Sequence, residues 1–447
     1  MDRVVIAAPA SGSGKTTVAT GLIAALVAKG RRVAPFKVGP DYIDPGYHSL
    51  AAGRPGRNLD PVLVGEERVQ PLFAHGSQNA DIAVVEGVMG LFDGRGSAGF
   101  GSTAHVARLL QAPVVLVVDA RGQGRSLAAL LHGFRGYDPT VRLAGVIINQ
   151  VGSARHEQVL REACAEIGVP VLGAVPRGAD VALPSRHLGL VPAVEHGEPA
   201  IRAVTAMRDL ITRSVDLAEI RRVAATAGRA QWQPWDPEAE VPQPVPPRPV
   251  VAVAGGAAFT FGYAEHVELL LAAGADVVTV DPLHDEALPG DTAALVLPGG
   301  FPEEHAGSLS HNAALRADVA RFARSGGIVQ AECGGLLYLL DELAGQPMCG
   351  VLPGTADLAD RLTLGYRDAV VATASVGHRT GERRTGHEFH RTRITGADPT
   401  PAWFWRDHDG QPVSEGFVRG NVHASYLHTH PVGQPETVAR LVAAARG

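Results

Sequence analysis

The stretch that decides the fold is Ala8-Pro9-Ala10-Ser11-Gly12-Ser13-Gly14-Lys15-Thr16-Thr17, near the start of the chain. It joins an apolar run at 4–8 to a helical pattern at 17–28. A loop of small residues in that setting lets backbone N–H groups surround phosphates. Its lysine supplies a point charge and the next threonine a hydroxyl for Mg²⁺. We therefore predict an ATP site, although Pro9 stands where the general motif has its first glycine. Its binding residues are predicted to be Ser11, Gly12, Ser13, Gly14, Lys15, Thr16 and Thr17.

Apolar runs alternate with helical patterns through the rest of the amino-terminal half. Uninterrupted apolar runs of this length indicate strands buried on both faces, as in a parallel sheet covered by helices. The alternation predicts an α/β fold with a doubly wound, mostly parallel sheet. Strands are expected at 4–8, 33–38, 82–85, 114–118, 144–148 and 169–174, and 188–227 is expected to be mainly helical.

Four acidic residues follow the predicted strands, at the edge where open parallel sheets bind ligands. They are Asp41, Asp44, Glu86 and Asp93. Each one alone could equally well cap a loop. As a set beside a phosphate loop they favour function, and we predict that Asp41 and Glu86 join Thr16 at a metal ion.

Two further polar residues lie at the same edge. Lys37 is near the end of a predicted strand, where it could hold a phosphate or a carboxylate, or be an ordinary surface lysine. Asn149 follows the strand at 144–148, where its amide could read the edge of adenine or simply form a turn. We assign Asn149 to the ATP site.

A proline-rich segment at 231–249 divides the chain. Closely spaced prolines prevent a helix or a central strand and favour extended backbone. We interpret the segment as an interdomain linker rather than a surface loop, which predicts one domain at 1–230 and another at 250–447. After the linker the α/β alternation restarts, with strands expected at 250–254, 276–280, 294–297 and 327–331, and a β-rich region at about 370–422.

The second domain carries a thiol signature, Ala331-Glu332-Cys333-Gly334-Gly335, between a predicted strand and a helix expected at 335–342. A sharp strand-to-helix turn exposes a nucleophile, and the helix N-terminus is expected to lower the pKa of the thiol. The N–H groups of Gly334 and of Gly300, in the turn Leu297-Pro298-Gly299-Gly300, are candidates for an oxyanion hole. A lone cysteine is more often an inert core residue, but this setting favours catalysis.

A thiol that attacks an amide needs a nearby base. His423, His428 and His430 cluster close together, and spacing alone does not choose among them. A metal site is the alternative, but no cysteine or acid lies near enough in sequence to complete a ligand set.

Composition narrows the class of protein. The 447-residue chain has a net charge of −6 and no basic block, which argues against nucleic acid as a partner. It has no apolar run long enough for a membrane span, and it enters a predicted strand at once, without room for a signal peptide. Three cysteines are too few for a disulfide framework, so we expect a cytoplasmic enzyme.

The motifs together resemble the cobyrinate or hydrogenobyrinate a,c-diamide synthases of cobalamin biosynthesis, and the resemblance runs from about 4 to 430. It is carried by the phosphate loop, the thiol signature extended to Leu336, and two further stretches. These are Lys37-Val38-Gly39-Pro40-Asp41-Tyr42-Ile43-Asp44-Pro45-Gly46-Tyr47 and Val85-Glu86-Gly87-Val88-Met89-Gly90-Leu91-Phe92-Asp93-Gly94. The resemblance implies a dethiobiotin-synthetase-like ATP domain joined to a class I glutamine amidotransferase domain. Such enzymes amidate the c- and a-acetates of a corrin ring, using glutamine, ATP and Mg²⁺.

The resemblance also implies roles for individual residues. Tyr426-Leu427-His428 matches the segment that carries the amidotransferase base, so His428 is expected to pair with Cys333. The triad glutamate of the family stands two residues later, where this chain has His430, which leaves a dyad. Near the corrin carboxylate the resemblance places Lys37, Asp41, Tyr42, Asp44 and Asp93.

Several relatives offer alternatives. A partitioning-type ATPase would have a signature lysine where this chain has Ala10, and dethiobiotin synthetase would explain the first domain alone. Cobyric acid synthase is longer, and nickel-sirohydrochlorin a,c-diamide synthase acts on another tetrapyrrole. An Arg- and Ala-rich composition favours metal-free hydrogenobyrinate over cobyrinate. Relatives of the first domain often dimerise, which makes a homodimer a candidate assembly that the sequence itself does not decide.

Overall fold

The computed structural model describes residues 1–178, 185–186, 189–190 and 192–447. The chain forms two compact units, Met1–Trp235 and Asp236–Gly447. The division between them lies inside the proline-rich segment at 231–249. Among the described residues no helix is long and apolar enough to cross a membrane. The start of the helical region expected at 188–227 lies partly outside the described residues.

The first unit alternates strands and helices along the chain. Its strands are β1 (Asp2–Ala7), β2 (Val33–Val38), β3 (Arg57–Leu59), β4 (Ile82–Glu86), β5 (Val114–Asp119), β6 (Leu143–Val151), β7 (Val171–Pro176), β8 (Ser185–Arg186) and β9 (Gly189–Leu190). Its helices are α1 (Lys15–Ala28), α2 (Ile43–Ala52), α3 (Pro61–Val64), α4 (Glu66–Gly76), α5 (Thr103–Leu109), α6 (Ser126–Tyr137), α7 (Ala154–Glu166), α8 (Ala193–His196), α9 (Glu198–Ser214) and α10 (Leu217–Ala225).

Seven of these strands form a parallel sheet in the order β3-β2-β4-β1-β5-β6-β7. The doubly wound α/β prediction is confirmed, because β1, β2, β4 and β5 are buried on both faces, as their uninterrupted apolar sequences require. The order makes β2, β4 and β1 neighbours. Their carboxyl ends, with the loops that follow, therefore meet at one edge of the sheet.

The second unit adds a mixed sheet and an antiparallel sheet. Its strands are β10 (Val250–Ala254), β11 (Asp276–Val280), β12 (Thr292–Leu297), β13 (Ile328–Glu332), β14 (Glu342–Leu343), β15 (Gln346–Pro347), β16 (Thr355–Val371), β17 (Arg383–Thr395), β18 (Trp403–Arg406), β19 (Pro412–Glu415), β20 (Phe417–Arg419), β21 (Val422–Ser425) and β22 (His428–Thr429). Its helices are α11 (Pro237–Glu240), α12 (Ala264–Ala272), α13 (Ala306–His311), α14 (Ala313–Arg324), α15 (Gly334–Leu339) and α16 (Pro435–Ala445), with 3₁₀ turns at Pro302–His305 and Pro431–Gly433.

The mixed sheet has the order β11-β10-β12-β13-β21-β20 and is parallel except for the pair β20–β21. The second sheet is built around the long antiparallel hairpin of β16 and β17. Its β structure starts earlier than the region expected at about 370–422. The early part of β16 is mostly polar and lacks the apolar pattern from which a strand is predicted. The chain passes from β21 in one sheet to β22 in the other, so His428 lies where the two sheets adjoin.

Candidate active sites

The phosphate loop connects β1 to α1 and has the backbone shape that its glycines predict. Gly12 and Gly14 have φ angles of +79° and +94°, in the left-handed region that favours glycine. Ser13 Oγ donates to the carbonyl of Ala10 at 2.8 Å. The ammonium of Lys15, the first residue of α1, donates to the carbonyl of Met89 at 2.7 Å. The ammonium of Lys15 therefore ties the phosphate loop to the turn that follows β4.

Asn149 contacts the phosphate loop from β6. Its Nδ2 donates to the carbonyl of Ser13 at 3.0 Å, and its Oδ1 accepts from the N–H of Gln150 at 2.9 Å. A Cβ at Gly14 would collide with this amide, so glycine is required there for space as well as for its φ angle. The side chain supports the loop, and its contact with adenine stays a prediction.

Thr16 meets two carboxylates at the edge where β1, β2 and β4 end. Its Oγ1 lies 2.7 Å from Oε1 of Glu86 and 3.2 Å from Oδ2 of Asp44. Lys37, which pairs with Glu86 across β2 and β4, places its Nζ 3.0 Å from the same Oε1 and 2.5 Å from Asp44 Oδ2. Hydroxyl and carboxylate oxygens are the ligands that Mg²⁺ prefers, so this group fits a magnesium ion.

The electrostatics of this group are those of a cation site. Burial alone would lower the pKa of Lys37, but the carboxylates of Asp44, Glu86 and Asp41 raise it, so the ammonium stays charged. Burial opposes ionisation of Glu86, yet Lys37, His48 and Thr16 hold its pKa well below the usual range. Burial and the neighbouring Asp41 raise the pKa of Asp44. The raised pKa of Asp44 reflects the crowding of three carboxyl groups around Lys37, which a divalent cation would relieve.

The other predicted residues of this domain lie at the margins of the group. Asp41 Oδ1 accepts from the N–H of Ile43 at 2.7 Å, at the start of α2, and its Oδ2 is 3.8 Å from Lys37 Nζ. Tyr42 is buried beside it, and Asp93 Oδ2 accepts from the N–H of Gly90 at 2.9 Å. The acid beside Thr16 is thus Asp44 rather than Asp41. The substrate roles of these residues stay predictions.

Cys333 occupies the strained turn between β13 and α15. Its φ of +46° is rare for a residue with a side chain, and such outliers are typical of functional turns. Its N–H donates to the carbonyl of Ser425 at 2.7 Å, and its thiol lies 3.7 Å from the carbonyl of Phe389. The turn is therefore fixed between β21 and β17, with the sulfur at a defined point.

The predicted lowering of the thiol pKa by the helix N-terminus is outweighed by burial, so the net direction is the opposite of the one expected. Burial, followed by the charge of Glu303, raises the pKa of Cys333 well above its usual range, although the N–H of Gly334 acts in the opposite direction. Helix α15 has only six residues, so its dipole does not compensate for desolvation. The resting group is a neutral thiol that needs a base.

The two oxyanion candidates lie side by side. A Cβ built on Gly334 would be 2.9 Å from the backbone N of Gly300 and 3.0 Å from Cδ of Pro302. The same turn approaches His428, because a Cβ on Gly299 would collide with the imidazole. Both peptide N–H groups thus belong to segments packed around Cys333. Their role in binding an oxyanion stays a prediction.

The structure separates the three histidines. His423 is buried beside Ser375, whose Oγ is 3.3 Å from its Nδ1, and burial lowers its pKa to about 4. His430 accepts from the N–H of Val432 and packs on the ring of Tyr263. His428 instead lies beside the Gly299 turn, and burial, followed by His387 and His390, lowers its pKa well below 6.5. A neutral imidazole is the form that can accept a proton, and the role of His428 as the base for Cys333 stays a prediction.

Two residues near these sites were missed from sequence. His48 Nε2 lies 2.7 Å from Glu86 Oε2 and holds that carboxylate from α2. Its signal was its position four residues after Asp44, on the same face of a helix. Glu332 Oε2 lies 3.8 Å from His428 Nδ1, and its signal was only that it precedes the nucleophile.

The fold and these sites define a class of protein, a nucleotide-binding domain joined to a glutamine amidotransferase domain. Residues 4–191 match the family described as CobQ/CobB/MinD/ParA nucleotide binding domain. Residues 250–435 match the CobB/CobQ-like glutamine amidotransferase domain.

Full-length relatives identify the family. The hydrogenobyrinate a,c-diamide synthase of Mycobacterium tuberculosis is 59% identical, with 100% of this chain and 98% of the relative covered. The synthase of that name from Streptomyces coelicolor is 55% identical, with 99% and 97% covered. The cobyrinate a,c-diamide synthase of Gloeobacter violaceus is 45% identical, with 96% and 93% covered. The chain belongs to the hydrogenobyrinate and cobyrinate a,c-diamide synthase family, as the resemblance predicted.

Proposed function

We propose that this chain is an ATP- and glutamine-dependent amidoligase that converts the c- and a-acetates of hydrogenobyrinate into amides. The observation that carries the proposal is the presence, in one chain, of the acid-lined phosphate loop and of Cys333 in its strained turn, together with full-length similarity to synthases of that name. The second unit disfavours a partitioning-type ATPase, which has no use for a thiol site. Cobyrinate is the alternative substrate, because the relative from Gloeobacter violaceus carries that name.

In the second unit, Cys333 supplies the nucleophile. His428 takes the thiol proton as sulfur attacks the side-chain amide of glutamine, and the N–H groups of Gly300 and Gly334 stabilise the oxyanion. When the carbon–nitrogen bond breaks, the imidazolium returns the proton to the leaving ammonia. Water then hydrolyses the thioester and releases glutamate. A neutral thiol must give up its proton to a base as it attacks, which is the part proposed for His428.

In the first unit, ATP activates a carboxylate that is otherwise a poor electrophile. The γ-phosphoryl group moves to a corrin acetate to give an acyl phosphate and ADP, and ammonia then displaces phosphate to form the amide. Lys15 and the backbone of Gly12 to Lys15 hold the phosphates, and Lys37 adds a second fixed charge. Thr16, Asp44 and Glu86 would hold Mg²⁺, which supplies neutralisation of the charge on the phosphates.

We also propose where the enzyme acts, which residues lie near its substrate and how the chain assembles. ATP and glutamine are cytoplasmic metabolites, so we place the enzyme in the cytoplasm. Asp41, Tyr42 and Asp93 are proposed near the corrin carboxylate, on the grounds given by the family resemblance. A homodimer is proposed because relatives of the first domain often dimerise, and light scattering on the purified chain tests it.

A product assay tests the function. The chain is incubated with ATP, Mg²⁺, glutamine and hydrogenobyrinate, with cobyrinate in a parallel series, and the corrinoids are analysed by mass spectrometry. We expect two successive replacements of oxygen by NH, with faster turnover of hydrogenobyrinate. Absence of amidated product from either ring, even with free ammonia, would contradict the proposal. Faster turnover of cobyrinate would overturn the choice of ring.

A further inference from the structure

The position at which the amidotransferase triad has its acid holds His430, and His430 faces a different environment. Its Nδ1 accepts from the N–H of Val432 at 3.3 Å, and its ring packs on Tyr263 with centroids 4.1 Å apart. It thus fixes the 3₁₀ turn at Pro431–Gly433. As a histidine, it carries no carboxylate with which to hold the Nδ1–H of His428.

Glu332 reaches His428 from the end of β13, the strand that leads to the nucleophile. Its Oε1 accepts from Oγ1 of Thr429 at 2.9 Å and from the N–H of Thr429 at 3.3 Å. Thr429 is itself fixed by the pairing of β22 with β17. With Oε1 anchored, Oε2 faces Nδ1 of His428 at 3.8 Å. The hydrogen bonds between Glu332 and Thr429 thus join the residue before the nucleophile to the residue after the base.

We infer that Glu332 is the positioning acid of the glutaminase site, holding His428 through Nδ1 in place of the triad glutamate that the chain lacks. This inference rests on the proposed function, since it assigns a part in the thiol chemistry. A carboxylate at Nδ1 fixes the tautomer that leaves Nε2 free as the base, and it stabilises the imidazolium formed after proton transfer. The separation of 3.8 Å is longer than a hydrogen bond, and such contacts shorten when substrate binds.

Two other acids of this unit, Glu388 and Glu415, have partners of their own. Glu388 is held by the guanidinium of Arg367 at 2.6 Å. Glu415 accepts from Oγ of Ser425 at 2.5 Å and from the N–H of Tyr426 at 2.7 Å. Each of these carboxylates has its own partners, whereas the second oxygen of Glu332 is directed at the base. Glu332 from β13 faces Nδ1 of His428, and His387 and His390 from β17 lower the pKa of that imidazole.

Burial gives the inference a measurable consequence. It raises the pKa of Glu332 to about 7, against the hydrogen bonds from Thr429, which lower it. Protonation removes the charge that faces His428, so glutaminase kcat should fall as the pH drops through neutrality. Glu415 is a matched control, because burial also raises its pKa to about 7 but its partners are Ser425 and Tyr426.

The test compares glutaminase kinetics of E332Q, E332D and E415Q with the wild type, each across a pH series. We expect E332Q to lower kcat roughly 10- to 100-fold with little change in KM and to shift the acidic limb of the pH profile. E332D should recover part of the loss, and E415Q should keep the wild-type pH profile.

Ammonia-dependent amidation by the same preparations reports on the first unit and on correct folding. E332Q with kcat within about twofold of the wild type and an unmoved acidic limb would overturn the inference. So would equal losses in E332Q and E415Q with unmoved profiles, which would mark Glu332 as structural. A wild type that amidates no corrinoid with ammonia, while its glutaminase responds to E332Q as expected, would instead contradict the proposed function alone.

Discussion

Replacing Gly334 by alanine tests whether the backbone turns around Cys333 form an oxyanion hole. The added Cβ would lie 2.9 Å from the backbone N of Gly300 and 3.0 Å from Cδ of Pro302. Ordinary contacts of carbon with these atoms are about 3.5 Å or more, so one backbone must move by roughly 0.5 Å. Gly334 has no positive φ angle, so the strain in the variant is steric. It acts on the two proposed oxyanion donors, the N–H groups of Gly300 and Gly334.

The size of the effect follows from what an oxyanion donor contributes. Loss of one donor costs about 10²- to 10³-fold in kcat, and a displacement of this size should cost a large part of that. We expect glutamine-dependent kcat to fall on the order of 10²-fold, while ammonia-dependent amidation in the first unit persists.

Gly307→Ala is the matched control, because a Cβ at that position of α13 meets no atom of the described residues within 4 Å. Both variants are assayed for glutamate release and for ammonia-dependent product, with thermal unfolding as a check on folding. A G334A enzyme that releases glutamate within about twofold of the G307A rate would refute the proposed geometry.

Two further predictions concern the acid group of the first unit and the buried histidines of the second. Glu86→Gln should lower ammonia-dependent amidation at least about 100-fold and leave glutamate release intact, because a metal site contributes several kcal/mol. Glu67→Gln, which changes an exposed side chain, is the control. Equal amidation activity of the two variants would contradict the role of Glu86. For His423, whose pKa burial lowers from 6.5 to about 4, the unfolded imidazole binds a proton first as the pH falls. The stability that neutral His423 contributes is therefore present above about pH 6.5 and lost toward pH 4, and the loss is about 2 kcal/mol at pH 5. The difference in unfolding free energy between the wild type and His423→Gln, from denaturant titrations, should shrink by that amount between pH 8 and pH 5, and a constant difference would contradict the assignment.

The fold of the first unit could be predicted because its signals are local. A glycine-rich loop between an apolar run and a helix fixes β1 and α1, and uninterrupted apolar runs mark buried parallel strands. The first half of β16 was missed, because its residues are mostly polar and half-exposed, with Leu358 and Leu364 open to solvent. Its strand character comes from pairing with β17 and not from its own pattern.

The residues of the two sites also divide into those that local motifs reveal and those that only the fold brings together. Cys333, Lys15 and Thr16 stand in motifs that the sequence displays directly. The contact of His48 with Glu86 and that of Glu332 with Thr429 depend on strand order and on pairs far apart in the chain, which a local pattern does not contain. The thiol pKa was predicted with the wrong sign because the helix start is visible in sequence, whereas the burial that outweighs it is not.

The central claim is that ammonia released at Cys333 amidates a carboxylate activated by ATP in the first unit. The most direct measurement compares the wild type and Cys333→Ala with hydrogenobyrinate, ATP and Mg²⁺, supplied with either glutamine or ammonium chloride. We expect C333A to make no diamide from glutamine but to form it from ammonia at close to the wild-type rate. Diamide formation from glutamine by C333A, or loss of the ammonia-dependent reaction in a folded C333A protein, would contradict it.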